Sequence, residues 1–503
     1  MNAIVTARGV SLELTSGRLL FSNLNFTINP ILTALVGPNG VGKTSLAKLL
    51  VGEIEPTSGS IRRNVPVTFF HQREEPPAMT IEEFLTEDYS WPTLGEKLLD
   101  GIDRQKLCTH LSGGQWMRVR LAHSLKDRFL ILDEPTNDLD REGREAILHY
   151  LQRREGGALI VSHDRECLRL CQDILELSNR GLSKFGNGWD LYEEVKNQER
   201  KNLSAALDSA KRDRDQAHID RAEQMAKQEK RNRRGAKTAE RGGMPKILLG
   251  ARKRRAQATS GSIDAATLDR AKSAVQDAYE AFAEMKIDPV MYADLIGKAI
   301  PNQKLVAEAR DFNIKFKNWL YPRDLNFTWR GNLRLALKGE NGSGKSTLIK
   351  AILGEAFETH GKLIRGNLKT LYIDQRCAIL DETKDIFENI RDVSMLDESE
   401  IRNGLSKFLF KKNTVFQKVS TLSGGERLRA ALARGLLSTE RPELLILDEP
   451  TNNLDLLNIE FLENLIREFQ GALLVISHDE IFLKRANVTE VLDLIDLRFQ
   501  NQN

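Results

Sequence analysis

The most regular feature of the chain is a series of short apolar runs, each of which ends in glycine or polar residues. One run covers residues 31–36 and leads into a glycine-rich loop, after which residues 45–50 have the pattern of a helix start. Two further runs, 129–132 and 157–161, end in an acidic pair and in a Ser-His pair. Continuous apolar runs of this length are typical of buried strands in a parallel sheet. The pattern therefore predicts an α/β fold with its polar strand ends along one edge of the sheet.

The same series of landmarks occurs a second time along the chain. Lys43 and Lys345 lie in matching glycine loops, and corresponding landmarks are separated by 302 to 315 residues. Because order and spacing are otherwise kept, we infer two copies of one nucleotide-binding domain. We expect a first domain over residues 1–190, a linker over 191–305 and a second domain over 306–503.

Each glycine loop has the composition of a phosphate-binding loop. Glycines allow successive backbone N–H groups to turn inward toward phosphate oxygens, and the helix behind the loop adds the positive end of its dipole. The lysine supplies a full charge to the β- and γ-phosphates, and the hydroxyl of Thr44 or Ser346 is a ligand for Mg²⁺. The predicted phosphate-binding residues are Gly37, Pro38, Asn39, Gly40, Val41, Gly42, Lys43, Thr44 and Ser45 in the first loop, and Gly339, Glu340, Asn341, Gly342, Ser343, Gly344, Lys345, Ser346 and Thr347 in the second.

An acidic pair ends a later apolar run in each copy and precedes Pro-Thr-Asn. Carboxylates at that end of a parallel strand lie at the ligand-binding edge of the sheet. We expect Asp133 and Asp448 to hold Mg²⁺, directly or through water. Glu134 and Glu449, one residue further on, are expected to polarise the attacking water as general bases.

A Leu-Ser-Gly-Gly segment lies between the glycine loop and the acidic strand of each copy, as Leu111–Gln115 and Leu422–Glu426. In this setting the two signature segments resemble those of ATP-binding-cassette ATPases. Two such cassettes in one chain, joined by a long charged linker, resemble the ABC-F family. The resemblance implies an α/β fold of two P-loop cassettes joined by an α-helical hairpin. It also implies ATP and Mg²⁺ as ligands and ATP hydrolysis as the activity.

The resemblance assigns roles to residues that are weak indicators by themselves. It implies that His163 and His478 are switch residues on the γ-phosphate, and that Gln72 and Gln375 sense Mg²⁺ and the attacking water. A lone histidine at a strand end is more often structural. Its repetition in register favours the switch role here.

The signature segments add a second kind of anion site. Each has a serine and two glycines in front of a predicted helix, Trp116 to Ser124 in the first copy, and one phosphate cannot be held by two such loops of the same domain. In the family, the signature of one cassette covers the nucleotide of the other, and hydrolysis removes this bridge. The resemblance therefore implies that ATP on Lys43 is covered by Ser423, Gly424, Gly425 and Glu426, and ATP on Lys345 by Ser112, Gly113, Gly114 and Gln115.

The family usually stacks adenine on an aromatic residue about two dozen positions before the phosphate loop. The second copy has two candidates there, Phe316 and Trp319. The first copy departs from this pattern, with Leu12, Leu14, Leu20 and a displaced Phe21.

The linker is helical in pattern and strongly basic at its centre. Residues 191–240 are rich in Ala, Gln, Glu, Lys and Arg and lack proline, which predicts a long exposed helix. A Gly-Gly-Met-Pro break at 242–245 and a second helix from about residue 264 complete a hairpin. Between residues 227 and 255, twelve Lys or Arg residues accompany two acidic ones, an excess of +10 in a chain whose net charge is +3.

This basic concentration predicts a polyanionic partner, because a solvated charged helix would carry more acidic residues. No aromatic residues are interleaved, which favours phosphate-backbone contact over base stacking. If about six to ten phosphates are engaged, affinity should fall roughly 10³–10⁵-fold between 50 and 200 mM salt. The predicted RNA-binding residues are Arg231, Arg233, Arg234, Lys237, Arg241, Lys246, Arg252, Lys253, Arg254 and Arg255.

Composition narrows the cellular setting. The 503 residues are 41% hydrophobic and include only four cysteines, too few for a disulfide framework. The start of the chain lacks a basic segment followed by an apolar core, and no run approaches eighteen apolar residues. We expect a cytoplasmic, monomeric protein with buried free thiols and without membrane insertion.

By resemblance, the ATP-closed form binds the ribosome in the tRNA exit site and directs the basic hairpin toward the neighbouring tRNA and the peptidyl-transfer centre. Only 38 residues lie between Gln72 and Leu111, so the arm that many family members insert there is absent. Whether such a protein acts in translation or protects ribosomes against antibiotics stays open.

Two other functions fit a twin cassette. One is the ATPase subunit of a membrane importer, although importer cassettes lack a long basic hairpin and have a longer segment between glutamine and signature. The other is a DNA-acting ABC-F protein, whose relatives often add a C-terminal coiled coil. This chain ends about 25 residues after His478.

Overall fold

A computed structural model defines the fold over most of the chain. It describes residues 3–15, 17–70, 74–85, 93–124, 129–136, 141–154, 156–202, 297–339, 342–452, 454–494 and 499–501, with isolated residues between 205 and 230. The chain divides into two compact units. One contains Met1–Tyr192 with Pro289–Asn503, and the other is Glu193–Asp288.

The first cassette has two sheets. A six-stranded sheet has the order β5-β6-β7-β3-β8-β9, in which all neighbours are parallel except β8 and β9. A smaller antiparallel sheet has the order β2-β1-β4. The strands are β1 Val5–Glu13, β2 Leu19–Ile28, β3 Leu32–Val36, β4 Ser58–Arg63, β5 Val67–Phe70, β6 Phe129–Asp133, β7 Ala158–Val161, β8 Asp173–Ser178 and β9 Gly181–Phe185. The helices are α1 Lys43–Val51, α2 Ile81–Leu85, α3 Thr93–Leu98, α4 Gly113–His123, α5 Arg141–Arg153 and α6 Arg165–Arg169, with a 3₁₀ turn at Cys108–His110.

The second cassette repeats this topology. Its large sheet has the order β14-β15-β16-β12-β17-β18, and its small sheet the order β11-β10-β13. The strands are β10 Leu305–Lys315, β11 Leu325–Arg330, β12 Arg334–Lys338, β13 Glu358–Arg365, β14 Thr370–Ile373, β15 Leu444–Asp448, β16 Ala472–Ile476, β17 Glu490–Asp493 and β18 Phe499–Asn501. The helices are α7 Lys345–Leu353, α8 Ile386–Arg391, α9 Glu398–Lys407, α10 Gly424–Leu436, α11 Leu456–Glu468 and α12 Glu480–Arg485, with 3₁₀ turns at Lys412–Phe416 and Val419–Thr421. The predicted internal repeat is confirmed.

The central strands are apolar throughout because both of their faces are covered. Every residue of β3, β6, β7 and β16 is buried. Along β6, Leu130 and Leu132 belong to one core cluster, whereas Phe129 and Ile131 belong to another on the opposite face of the sheet. A strand of this kind shows no apolar–polar alternation, which is why a continuous run predicted it.

Parallel register brings the polar strand ends to one edge. Asp133 on β6 is paired with Val161 on β7, which is paired in turn with Leu35 on β3. The residues that follow these three strands are the acidic Glu134, the Ser-His pair and the phosphate loop. The sheet therefore collects at one edge the groups that the sequence places far apart.

The start of the first signature helix differs from its prediction, whereas the cysteines agree with theirs. The helix predicted from Trp116 to Ser124 begins earlier, at Gly113, so the signature glycines lie within its first turn. Cys167 lies on α6, which ends at Arg169, and Cys171 lies beyond it. All four cysteines are buried and free, as predicted.

Of the predicted linker, the structure describes the first part and residues 297–305 at its end. Every described residue from 188 to 230 is helical, and those from 201 onward are exposed, in agreement with the predicted exposed helix. The break at 242–245 and the second helix lie outside the described residues. Within the part of the chain that is described, no helix is long and apolar enough to cross a membrane.

Candidate functional site

The two phosphate loops have the same backbone geometry. The residue before each lysine, Gly42 or Gly344, has a left-handed backbone with φ of 105° or 91° and caps the following helix. A Cβ atom at Gly37 would lie 2.2 Å from the carbonyl oxygen of Leu177, so a side chain there would force the loop away from β8. Glycine is required at these positions by conformation and by close approach.

The loop lysines are held within their own loops. Lys43 Nζ donates hydrogen bonds to the carbonyl oxygens of Gly37 at 2.8 Å and Pro38 at 3.3 Å, and Lys345 Nζ donates to Gly339 at 2.6 Å. Burial lowers the pKa of Lys43, while the nearby carboxylates of Glu134, Asp455 and Asp133 oppose this change. Each loop lysine is thus buried against its own loop, a position that suits contact of its ammonium group with a triphosphate.

A hydroxyl and a carboxylate meet in each cassette. Thr44 Oγ1 donates to Asp133 Oδ2 at 2.8 Å, and Ser346 Oγ donates to Asp448 Oδ2 at 2.8 Å. In the second cassette, Tyr372 also donates to Asp448, at 3.4 Å. Hard oxygen ligands arranged in this way fit Mg²⁺ bound together with phosphates. Tyr372 is not predicted from the sequence, because a tyrosine inside an apolar strand has the pattern of a core residue.

The two glutamates have an unusual backbone. Glu134 and Glu449 have φ of 46° and 47°, and their N–H groups donate to the carbonyl oxygens of Val161 at 2.7 Å and Ile476 at 2.9 Å. A positive φ is uncommon for a residue with a side chain and is typical of functional positions. Burial raises the pKa of Glu134 to about 8 and that of Glu449 to about 7, while Lys43 and Lys345 respectively oppose the rise.

Each histidine predicted to be a switch residue faces the glutamate of its own cassette. His163 Nε2 lies 3.5 Å from Glu134 Oε1, and His478 Nε2 lies 3.4 Å from Glu449 Oε1. Burial, with Lys43 nearby, lowers the pKa of His163 to about 3, so the ring is neutral at physiological pH. Neither ring nitrogen of His163 has a hydrogen-bond partner among the described residues. A buried imidazole of this kind can exchange a hydrogen bond with a ligand phosphate.

The predicted glutamines contribute less to the described geometry. Gln72 lies outside the described residues, as do Glu340 and Asn341 of the second loop. Gln375 follows β14 and is exposed. Its predicted role at Mg²⁺ and the attacking water stays a prediction.

The signature serines are helix caps. Ser112 Oγ accepts the N–H of Gln115 at 3.2 Å, and Ser423 Oγ accepts the N–H of Glu426 at 3.4 Å. In both helices the serine N–H donates in turn to the side-chain oxygen of the residue three positions on, which completes a capping box. The first glycine of each signature is exposed and the second is buried.

The aromatic candidates for adenine fall into two kinds. Phe21 is buried in the core beneath Gly42, and Tyr321 takes the same place beneath Gly344, where its hydroxyl donates to the Gly344 carbonyl at 3.1 Å. Phe316 is 57% exposed and Trp319 is 51% exposed. The displaced Phe21 is therefore a core residue, and stacking of adenine on Phe316 or Trp319 stays a prediction.

The two cassettes contact one another at the site. The backbone N–H of Asn39, in the first phosphate loop, donates to Asp455 Oδ2 of the second cassette at 3.0 Å. Arg165 forms a buried ion pair with Glu463. Arg144 donates to the carbonyl oxygen of His478. Sequence reasoning did not find these contacts, because residue type alone does not show which surface faces the other copy.

The residues predicted to bind RNA belong to the part of the linker that is not described. They are Arg231, Arg233, Arg234, Lys237, Arg241, Lys246, Arg252, Lys253, Arg254 and Arg255. Their role stays a prediction from charge.

The fold and the paired loops define a twin ATP-binding-cassette protein, and comparison with known proteins agrees. The family described as "ABC transporter" matches residues 21–137 and 322–452. The chain is 30% identical to the "Putative ATP-binding protein YdiF" of Bacillus subtilis, covering 92% of this chain and 75% of the relative. It is 29% identical to "ABC transporter F family member 5" of Arabidopsis thaliana, covering 92% and 70%. It is 26% identical to the "Ribosome protection protein VmlR" of Bacillus subtilis, covering 98% and 87%.

Among solved structures, the "RNase-L Inhibitor" has a similar fold. Its TM-score is 0.60 at 18% sequence identity, covering 98% of this chain and 88% of that structure. The chain belongs to the ABC-F family of twin-cassette ATPases. Its cassettes bind ATP, and the protein is an ATPase.

Proposed function

We propose that this ATPase binds the ribosome at the tRNA exit site when ATP holds its cassettes together, and that its basic linker then acts on tRNA and rRNA. The outcome is an effect on translation or protection of the ribosome against an antibiotic. The observation that carries the proposal is the basic centre of the linker, +10 over residues 227–255, placed between two cassettes that share an ATP-site contact. The similarity to a relative named as a ribosome protection protein supports it.

The nucleotide is proposed to join the two cassettes. In this arrangement, Lys43 and the first loop hold one triphosphate, and Ser423 at the start of α10 covers it. The hydrogen bond from Asn39 N–H to Asp455 shows that a polar side chain of the second cassette reaches the first phosphate loop. Lys345 and Ser112 form the reciprocal pair.

The acidic residues divide the chemistry. Thr44 with Asp133, and Ser346 with Asp448, would hold Mg²⁺, which supplies charge neutralisation at the phosphates. Glu134 and Glu449, as carboxylates, orient and deprotonate the attacking water. His163 is neutral because burial lowers its pKa to about 3, so its ring can donate one hydrogen bond to a phosphate oxygen without adding charge.

Loss of the γ-phosphate removes a ligand shared between the cassettes. The contacts across the site then lose their electrostatic bridge, and the ATP-dependent state ends. We propose that this release frees the protein from a cytoplasmic ribosome.

Cosedimentation with ribosomes tests the proposal. The double variant Glu134→Gln/Glu449→Gln binds ATP but lacks both general bases, so in ATP it should accumulate on ribosomes well above its ATP-free level. The matched control is Glu55→Gln/Glu355→Gln, which makes the same charge change at two exposed glutamates and should behave as the unmodified protein. If the double variant shows no ATP-dependent enrichment on ribosomes but pellets with added DNA, the ribosome proposal is wrong and the DNA-acting alternative gains support.

A further inference from the structure

Arg144 is a partly buried arginine on α5 whose guanidinium contacts both switch-histidine segments. Its side chain is 12% exposed. In its own cassette, Nε and Nη2 donate to the two carboxylate oxygens of Asp164, each at 2.8 Å. Its third nitrogen, Nη1, donates to the carbonyl oxygen of His478 in the second cassette. One side chain therefore connects the residue after His163 with the backbone of His478.

The contact within the first cassette is rigid. Asp164 is the N-cap of α6, and its Oδ1 also accepts the backbone N–H of Glu166 at 2.9 Å. Arg144 Nη2 additionally lies 3.2 Å from Glu166 Oε2. A bidentate fork on a capping carboxylate has little rotational freedom, so the position of Asp164 determines where Nη1 points.

The charges around Arg144 come from both cassettes. Burial alone would lower the pKa of Arg144, but the carboxylates of Asp164, Glu166 and Asp479 together raise it. Asp479 directly follows His478 and caps α12 through the N–H of Phe482 at 2.9 Å. The guanidinium is thus held between the acidic helix caps that follow the two switch histidines.

The arginine has no counterpart at the equivalent position of the other copy. The repeat places Ile459 of α11 at the position equivalent to Arg144, and this residue is apolar and buried. An isoleucine cannot donate to the histidine segment of the first cassette. The link from the first cassette to the second is therefore a property of one copy of the repeat.

We propose that Arg144 is a positioning residue that couples the two ATP sites by holding both switch-histidine segments in place. The inference rests on the proposed roles of the switch histidines and of the two glutamates. Turnover at the second site then depends on a residue of the first cassette that does not contact its nucleotide. The simpler explanation is that Arg144 supports only its own cassette through Asp164, and the experiment separates the two.

The experiment measures each ATP site separately. Glu449→Gln leaves turnover to the site of Lys43, and Glu134→Gln leaves turnover to the site of Lys345. Arg144→Gln is added to each, and kcat and KM for ATP are measured. Coupling predicts that kcat falls about tenfold at both sites while KM changes less than about twofold, because Arg144 aligns the switch segments and does not bind nucleotide.

A control variant, a conservative variant and a second measurement complete the experiment, all in the full-length chain. Arg153→Gln removes an exposed charge from the same helix and should leave both rates unchanged. Arg144→Lys keeps the charge without the fork and should recover only part of the rate. Hydrogen–deuterium exchange of residues 477–482 should accelerate in Arg144→Gln, and this readout does not depend on ATP hydrolysis.

The outcomes are distinct. If Arg144→Gln lowers turnover only at the Lys43 site, or at neither site, the coupling proposal is overturned. The proposal is also overturned if hydrogen–deuterium exchange of residues 477–482 is unchanged in Arg144→Gln. This measurement still tests the proposal if the site-specific variants hydrolyse ATP too slowly to give rates. If exchange accelerates but Glu134→Gln and Glu449→Gln leave total turnover intact, the link stands and the proposed function of the glutamates fails.

Discussion

Glu134 and Glu449 each combine a left-handed backbone with a carboxyl group whose pKa is raised by burial. Residues in sparsely populated backbone regions cost about 1–3 kcal/mol each and persist where the surrounding structure imposes them. Here the carbonyl oxygens of Val161 and Ile476 hold the two N–H groups in place. The geometry turns each carboxyl toward the histidine and lysine of its own cassette.

The raised pKa values of these glutamates predict the pH dependence of ATP hydrolysis. A general base acts as the carboxylate, and burial raises the pKa to about 8 for Glu134 and about 7 for Glu449, so both are mostly protonated below pH 6. We expect kcat/KM to rise with pH and to level off above these values, because kcat/KM reports groups of the enzyme before nucleotide binds. His163 stays neutral above pH 6, because its pKa is lowered to about 3, and it therefore adds no further change to the pH profile of kcat/KM.

Site-specific variants give the measurement. In Glu449→Gln the remaining site should show its half-rise near pH 8, and in Glu134→Gln the remaining site should show it near pH 7. A flat kcat/KM profile from pH 6 to 9 would show that neither glutamate is the base that limits turnover.

At the scale of elements, each signature helix is started by its serine. The capping box of Ser423 and Glu426 satisfies backbone N–H groups that the first turn of α10 cannot pair internally. The same serine is a proposed contact to nucleotide. One serine can both cap the helix and contact nucleotide, because a capped helix start still presents the positive end of its dipole.

This structural part of the role of Ser423 can be measured without nucleotide. Ser423→Ala should lower the free energy of unfolding by about 1 kcal/mol, the usual cost of losing a serine cap. The measurement is urea unfolding in ATP-free buffer. Ser399→Ala, at an exposed position in the first turn of α9, is the matched control and should change stability by less than about 0.5 kcal/mol. Equal unfolding midpoints for the two variants would show that the cap of Ser423 does not stabilise the cassette.

At the scale of the whole molecule, the compact unit that contains both cassettes includes a buried ion pair between them. Arg165 of α6 and Glu463 of α11 are 2% and 4% exposed in their side chains and are 298 residues apart in the chain. Arg485 adds a second cation at 3.6 Å from Glu463. Burial raises the pKa of Glu463, and the hydrogen bond from Arg165 opposes that rise.

Removing one partner of this pair should be costly, whereas removing both should not. Glu463→Leu leaves Arg165 buried without its carboxylate, and we expect a loss of about 3–5 kcal/mol in the free energy of unfolding. The double variant Arg165→Leu/Glu463→Leu should recover most of that loss. The exposed pair Arg402 and Glu398 on α9 is the control, since Glu398→Gln should have little effect. If the single and double variants lose equal stability, the pair is not coupled across the cassettes.

Much of each cassette was predictable from the sequence because its determinants are local. A strand buried on both faces must be apolar at every position, so β3, β6 and β16 are visible as runs. The phosphate loop needs glycine where the backbone is left-handed and close to β8, so its composition is also local. The sequence alone thus determined the repeat and the α/β class, and it predicted candidate residues for ATP chemistry.

The domain boundaries and the roles of the basic linker residues stay predictions. Charge and composition indicate that the linker has a polyanionic partner, but they do not show how the two would contact each other.

The contacts between the copies were decided by tertiary structure alone. Asn39 and Asp455 are 416 residues apart, and no feature of Arg144 or Glu463 distinguishes them from surface residues in the sequence. The two copies have diverged, so an arginine of one matches Ile459 of the other, and this asymmetry has meaning only when the copies are packed together. A sequence motif indicates the role of a residue within its own loop. Which residue of the other cassette it contacts, about 300 positions away in the chain, depends on how the two folded cassettes pack against each other. That packing is determined by the tertiary structure as a whole.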